Sequence, residues 1–542
     1  MLTGTMARHL AVLLNIFALS MFLPASAEQN TPPPDVPFQS EPIETIKAES
    51  NLVVLDLVVR DKQGRSVTGL KREDFTVFED AKPQTLRSFE ATDAAGPVPD
   101  TPKLDDAGNL DWGSAPLTIL VIDELTTSFE SMAYARFELE KYLKRQPALL
   151  DTPAKLLAVN DKGFQEIAPY TRDRDLLLER LQDRSVGLPS ALFRGDLGKL
   201  IEGTFTTLKQ IALASEGEKD ERKNLIWIGT GFPAVPYYQL GDRSRAVVEA
   251  VIRDTTTSLL HARIVVYQID PEGLGVQQPF LVAGGGRGLF TAIGTNGPGA
   301  RAIADEVTLS TFASQTGGRY LFNRNDVDVA VGDSIADLQH SYAISYSPTN
   351  LVHDDKYRTI RVKVNRPGLT VQTRDGYFAP GAHTVALPLH ESEYELARAA
   401  SNSMYYSGIR ARIASIKPSK TPGTVDIMIR VEAKDLRWEE QADGKMQSTL
   451  LVAAVAQSSA RKMLTSHVMR FVFAMPDAKP GEAPPSDLMV ATNLPLLEKA
   501  PYLRILIRDS SGRVGSADVD PAVISSLQTQ MARDHSKSTQ VR

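Results

Sequence analysis

Leu117-Thr-Ile-Leu-Val-Ile-Asp-Glu-Leu-Thr-Thr-Ser-Phe-Glu130 decides how the chain is read. Residues 117–122 are a short apolar run, the pattern of a strand buried on both faces of a parallel sheet. Asp123 leaves that strand, and the hydroxyls of Thr126, Thr127 and Ser128 stand before a helix expected over 128–145. In that helix Met132, Ala135, Leu139 and Tyr142 recur at spacings of three and four. Open α/β sheets place their sites where an acidic residue leaves a buried strand and hydroxyls open the next helix.

The alternation continues downstream. A hairpin is expected at 155–160 and 164–168, around Asp161-Lys-Gly163. Helices follow at 173–182 and about 195–215, then a buried strand at 224–228. A helix at 243–262 turns Val248, Val251, Ile252, Thr255 and Leu259 inward. A strand at 263–269, a helix at 305–316, a short strand at 319–322 and a helix at 327–341 complete the series. Strands separated by helices imply a Rossmann-like α/β domain over 115–341, its parallel sheet covered on both faces. The hairpin adds one antiparallel edge strand.

The flanks read as β-structure. In residues 45–92, Val53, Leu55, Leu57 and Val59 share one face at period two, with further strands at 74–80 and 85–89. That is half of a sandwich and needs partners. Strands at 342–346, 358–364 and 369–373 within 342–378 are expected to supply them. The α/β domain would then be inserted into a β-sandwich-like domain. Residues 392–520 open with a short helix and continue as strands near 424–432, 447–456, 467–474, 502–508 and 513–519. This spacing suggests a C-terminal Ig-like β-sandwich. Residues 477–486 form a Pro-rich loop, and 521–542 are expected as a polar, frayed tail.

The length of 542 residues allows about three domains at roughly 100–200 residues each. A formal net charge of −6 offers no basic excess for phosphates, which argues against a nucleic-acid partner. No cysteine occurs, so disulfides, thiolate nucleophiles and Cys-based zinc sites are excluded. Arg8, the apolar run 10–23 and Ala25-Ser-Ala27 have the form of a signal peptide over 1–27. The run is short of the roughly 20 residues of a spanning helix. The expectation is an exported protein, periplasmic or extracellular, with no stable membrane insertion after signal removal. Residues 28–44, rich in Pro and Glu, are expected as a disordered leader.

The order of elements over 115–340 resembles the von Willebrand factor A-type domain. The flanking motifs resemble one bacterial subgroup, the VWFA-related family abundant in Acidobacteria. They are Val67-Thr-Gly-Leu-Lys-Arg-Glu-Asp-Phe-Thr-Val-Phe-Glu-Asp80, Arg222-Lys-Asn-Leu-Ile-Trp227, Gln315-Thr-Gly-Gly318, Tyr346-Ser-Pro-Thr349 and Arg374-Asp-Gly-Tyr377. The stretch 502–516 is similar to the last strands of the sandwich these proteins often carry. The resemblance implies a divalent-cation adhesion site, here degenerate. Asp123 matches the first loop, Leu125 replaces its first Ser, Thr127 replaces its second, and Thr230 in Ile228-Gly-Thr-Gly231 replaces the Asp of the third loop. The metal set would be Asp123, Thr127 and Thr230, with Mg or Ca as the possible ion. Glu124 or Asp270 would be an additional oxygen ligand. The contact face would comprise Asp123, Glu124, Thr126 and Asp270.

The same residues also have a structural reading. Thr127 and Glu130 fit a capping box, Asp123 can close its own turn, and Asp270-Pro-Glu-Gly273 is a turn signal. The Gly-rich stretch 271–304 lacks the Lys-Ser or Lys-Thr of a phosphate cradle and reads as a mobile loop, a lid or partner contact. The eight histidines are scattered, and neither His-Glu-x-x-His nor Gly-x-Ser-x-Gly occurs. The expectation is a non-enzymatic protein that binds a protein partner. A metal-dependent adhesion module and an enzyme with an inter-domain site are the alternatives.

Overall fold

A computed structural model of the chain describes residues 52–91, 98–104, 110–113, 115–160, 163–183, 197–217, 222–231, 235–236, 242–272, 306–352, 354, 356–379, 389–441, 444–459, 461–475 and 487–540. The expected signal peptide, leader and Pro-rich loop lie outside these residues. So do residues 273–304 of the Gly-rich stretch.

Strands β1 (Val53–Arg60), β2 (Phe75–Glu79), β3 (Lys82–Gln84) and β4 (Leu86–Ala91) come first, followed by the short pair β5 (Lys103–Leu104) and β6 (Leu110–Asp111). The central elements are β7 (Leu117–Asp123), α1 (Phe129–Arg145), β8 (Leu149–Asn160), β9 (Gly163–Asp173), α2 (Arg174–Asp183), α3 (Leu197–Ser215), β10 (Lys223–Ile228), β11 (Val235–Pro236), α4 (Asp242–His261), β12 (Ile264–Ile269), β13 (Glu306–Val307), α5 (Leu309–Thr316), β14 (Tyr320–Leu321) and α6 (Val327–Gln339). Then come β15 (Ser341–Tyr346), β16 (Tyr357–Val364), β17 (Thr370–Gln372) and β18 (Gly376–Phe378). The C-terminal elements are α7 (Leu389–Ala400), β19 (Ala411–Pro418), β20 (Thr424–Glu432), β21 (Glu439–Glu440), β22 (Met446–Gln457), β23 (Met463–Met475), β24 (Asp487–Pro495), β25 (Tyr502–Asp509), β26 (Val514–Val519) and α8 (Pro521–Gln540).

The first and third groups form two antiparallel sheets, ordered β17-β1-β15-β4 and β18-β16-β2-β3. Leu55 lies opposite Ile344, and Val77 opposite Val362. The period-two face of β1 explains the pairing. Leu55, Leu57 and Val59 are fully buried against Phe75, Val77, Tyr342 and Ile344. Each such aliphatic side chain contributes about 1.5–3 kcal/mol by leaving water.

The central sheet runs β14-β12-β10-β7-β8-β9, parallel from β14 to β8, with β9 antiparallel at the edge. Every residue of β7, β10 and β12 is buried, as an apolar run covered on both faces requires. Helices α1, α2 and α6 cover one face through Met132, Leu139, Leu177, Leu181 and Val331. Helices α3, α4 and α5 cover the other through Leu208, Ile211, Ile252, Leu259 and Phe312.

The C-terminal strands build a sheet β19-β20-β24 and a second sheet in which β21, β23 and β25 all pair with β22, and β26 with β25. Ile427, Ile429, Val452, Ala454, Ile505 and Ile507 pack between the two. The outer face of the second sheet is apolar too. Leu451, Ala453, Val455 and Leu506 join one continuous core with Leu396 and Ala399 of α7 and with Leu208 and Ala212 of α3. Glu395 ties this contact together, since it binds Lys209 on one side and Arg508 Nε at 3.0 Å on the other.

Several elements differ from the sequence reading. The hairpin strands are longer, because β8 and β9 stay paired from Asn160 and Gly163 to Leu149 and Asp173. The helix expected from 305 begins at Leu309, after β13 has paired with β11. The frayed tail is instead helix α8. Asp520 Oδ1 accepts from Ala522 N at 2.8 Å at its start, and Ile524 and Leu527 enter the core one turn apart. Strands β19 and β24, which complete the β20 sheet, carried no clear apolar run in the sequence.

Candidate functional site

Because β7, β10, β12 and β14 are parallel, their carboxyl ends share one edge of the sheet. Asp123 ends β7, Gly229-Thr-Gly231 follows β10, Asp270 follows β12 and Phe322 follows β14.

Asp123 is fully buried, and its carboxylate takes four donors. Oδ1 accepts from the backbone N–H of Leu125 at 3.0 Å and of Thr126 at 2.9 Å. Oδ2 accepts from the Thr126 hydroxyl and from the Trp227 indole N–H, the latter at 3.0 Å. Burial pushes the Asp123 carboxyl above the usual range, and the four donors pull against that shift.

The neighbouring threonines are knotted into the same loop. Thr127 Oγ1 accepts from Thr230 N at 3.1 Å, and the Thr230 hydroxyl donates to Thr126 O at 3.2 Å. Gln268 Nε2 donates to Thr230 O at 3.0 Å from the next strand. Gly229 makes the closeness possible. A Cβ there would stand 2.4 Å from Asp123 Cβ and 2.6 Å from Thr127 Oγ1. The capping box expected of Thr127 and Glu130 is not formed. Ser128 is the N-cap of α1 and accepts from Ser131 N at 3.2 Å, while the Thr127 hydroxyl is committed to Thr230.

Asp123, Thr126, Thr127 and Thr230 are thus brought together. Glu124 is buried beside them, its N–H bonded to Val159 O at 2.8 Å. Asp270 belongs to a separate pairing. Its Oδ2 accepts from the Tyr320 hydroxyl at 3.1 Å, and its Oδ1 closes the turn to Glu272 N at 3.0 Å. Burial raises the carboxyls of Asp270 and Glu272, and the Asp270 charge raises Glu272 further. Asp123 and Glu124, expected as contact residues, are turned into the protein and offer no surface to a partner.

The arrangement does not fit a cation. Both oxygens of its carboxylate already accept from protein donors, and the Thr127 oxygen accepts an N–H. A hard divalent ion needs those same lone pairs, in near-octahedral array for magnesium. Among the described residues no three His, Asp or Glu side chains stand close enough to hold a metal.

The edge also exposes two large apolar side chains among its polar residues. Phe129, the first residue of α1, is 47% exposed, and Phe322, after β14, is 46% exposed while stacking on Tyr320 at 4.7 Å. Trp227, Tyr320 and Phe322 were missed by sequence reasoning. For Trp227 a signal existed, since a buried indole N–H needs an acceptor and Asp123 leaves the adjacent strand.

Among solved structures, the SpRpn10 VWA domain is similar over 29% of this chain and 89% of that chain, at 14% identity and a TM-score of 0.15. The human COPII-coat protein Sec24c is similar over 49% of this chain and 44% of that chain, at 11% identity and a TM-score of 0.20. No family model matches the chain. No curated protein matches it in sequence. The strand order described above stands on its own pairings.

Proposed function

We propose that this chain is an exported, non-enzymatic protein of the envelope or cell exterior that binds another protein. Its central layer is read as a von Willebrand A-type domain inserted in a β-domain and followed by an Ig-like sandwich. The observation that carries the reading is the contrast at the carboxyl edge. The one fully buried carboxylate there, Asp123, is spent on internal hydrogen bonds, while Phe129 and Phe322 face solvent at the same edge. Scattered apolar side chains are ordinary on a surface. Here two aromatics stand where an open α/β sheet keeps its ligand face, with Asp270 and Glu272 next to one of them.

Under this reading the metal ion of A-type domains is dispensable, and binding is apolar with an acidic border. The test is capture from an envelope extract by the mature chain and by a Phe129→Ser/Phe322→Ser variant of equal thermal stability. Capture of one specific protein by the parent, lost in the variant, supports the reading. Equal capture by both clears the edge, and turnover of a metabolite by the purified chain overturns the non-enzymatic assignment.

A further inference from the structure

A second surface, remote in sequence from the carboxyl edge, lies on β23. This strand pairs with β22 along its whole length, from Met475 opposite Met446 to Met463 opposite Gln457. No described strand pairs with its other edge. Every second residue of this thirteen-residue strand therefore presents its backbone N–H and C=O groups outward.

The two faces of β23 differ. His467, Phe471 and Phe473 turn inward, His467 Nδ1 lying 2.9 Å from Asn493 O of β24. From Ser466 to Ala474 the even-numbered residues turn outward, and a register shift between Thr465 and Met463 interrupts the alternation at Leu464. Val468 stands opposite Ala453 and Arg470 opposite Leu451, so this outer face continues the one that α7 and α3 cover over β22. On β23 it is open, with Leu464 39%, Val468 37% and Val472 52% exposed. Between the apolar residues stand Ser466 and Arg470, and Lys462 is exposed at the strand's start. Residues 461–475 hold three Arg and Lys side chains and no Asp or Glu.

We propose that the free edge of β23 accepts an extended acidic segment of a partner protein as an added strand. The partner's backbone would pair with the open N–H and C=O groups. Its apolar side chains would cover Leu464, Val468 and Val472, and its carboxylates would meet Lys462 and Arg470. A second copy of this chain fits less well. Antiparallel self-pairing about Met469 sets Arg470 diagonal to its own copy, and pairing about His467 sets Val472 against Lys462.

The probe is a synthetic extended peptide with threonine on one face and valine and glutamate taking turns on the other. Binding to the full mature chain is read by fluorescence anisotropy. The expected result is saturable binding that weakens at least tenfold when lysine replaces glutamate. N-methylation of the amides facing β23 abolishes it, and Arg470→Glu, an exposed substitution checked by thermal unfolding, reverses the charge preference. The proposal is overturned if neither peptide binds, if both bind equally, or if the N-methylated peptide binds undiminished. A concentration-dependent dimer in sedimentation, dispersed by Val468→Lys, would assign the edge to a second copy and overturn it as well. Success or failure here is independent of the Phe129 and Phe322 edge.

Discussion

The indole N–H of Trp227 donates to Asp123 Oδ2 at 3.0 Å, across the adjacent strands β10 and β7. Trp227→Phe keeps most of the ring and deletes that donor. A hydrogen bond to a charged group is worth about 1.5–3 kcal/mol. The variant is expected to lose stability of that order in urea unfolding, with an unchanged m-value. A loss no greater than that of a surface substitution would mean the bond is not held in solution.

The same carboxyl gives a pH signature. Its folded-state pKa is raised by burial, so the folded chain holds the Asp123 proton more tightly than the unfolded chain does. The resulting stability is fully present below the ordinary carboxylate range. It is lost as pH rises through the folded-state value. The stability of the parent minus that of Asp123→Asn should therefore fall with rising pH above the ordinary Asp pKa. A flat or rising difference in denaturation across the acid range would contradict the buried placement.

Gly229→Ala puts a methyl group within 2.4 Å of Asp123 Cβ and 2.6 Å of Thr127 Oγ1. Backbone and loop must move apart to admit it. Overpacking of this kind costs about 1–3 kcal/mol. Calorimetry should record a lowered Tm, whereas alanine at Gly64, which has open space but a φ of +81°, should suffer only backbone strain.

Glu395→Gln tests the contact between the α3 face and the second C-terminal sheet. The Arg508 side chain is nearly buried and would lose its carboxylate, as would Lys209. Breaking a buried pair on one side costs about 3–5 kcal/mol. The parent is expected to unfold in one calorimetric transition and the variant in two, with faster proteolysis in the segment between α7 and β19.

Cations give the last prediction. Mg²⁺, Ca²⁺ and Mn²⁺ at millimolar concentration should produce no binding heat and no shift in Tm, because the Asp123 carboxylate and the Thr127 hydroxyl already accept protein donors. Saturable heat, abolished by Asp123→Asn, would restore the adhesion-site reading.

Much of this architecture was legible because burial imposes a period. The face of β1 at Leu55, Leu57 and Val59 and the runs of β10 and β12 announce themselves as strands. The fate of the Thr127 hydroxyl was not legible. Local spacing offered it a cap on Glu130, but Thr230 N, from the loop after β10, won it. Helix α8 was missed for a related reason. Ile524, Leu527 and Met531 are spaced by three and four in a largely polar tail, and the core they meet makes them a helix face. Likewise β19 and β24 form on the edges of β20, where pairing rather than composition decides.

Strand β1 finds its neighbour in β15, so the first strand described must wait for a segment roughly 280 residues further along the chain. Delivered from its N-terminus, by a ribosome or through an export channel, the opening segment has no long-range partner until the central sheet has emerged. Until then its apolar stripe has Phe75 and Val77 within reach but lacks Tyr342 and Ile344. The two ends of the central segment lie side by side, with Ala91 opposite Tyr342. The β-framework on either side is therefore complete only when both ends of that segment are in place.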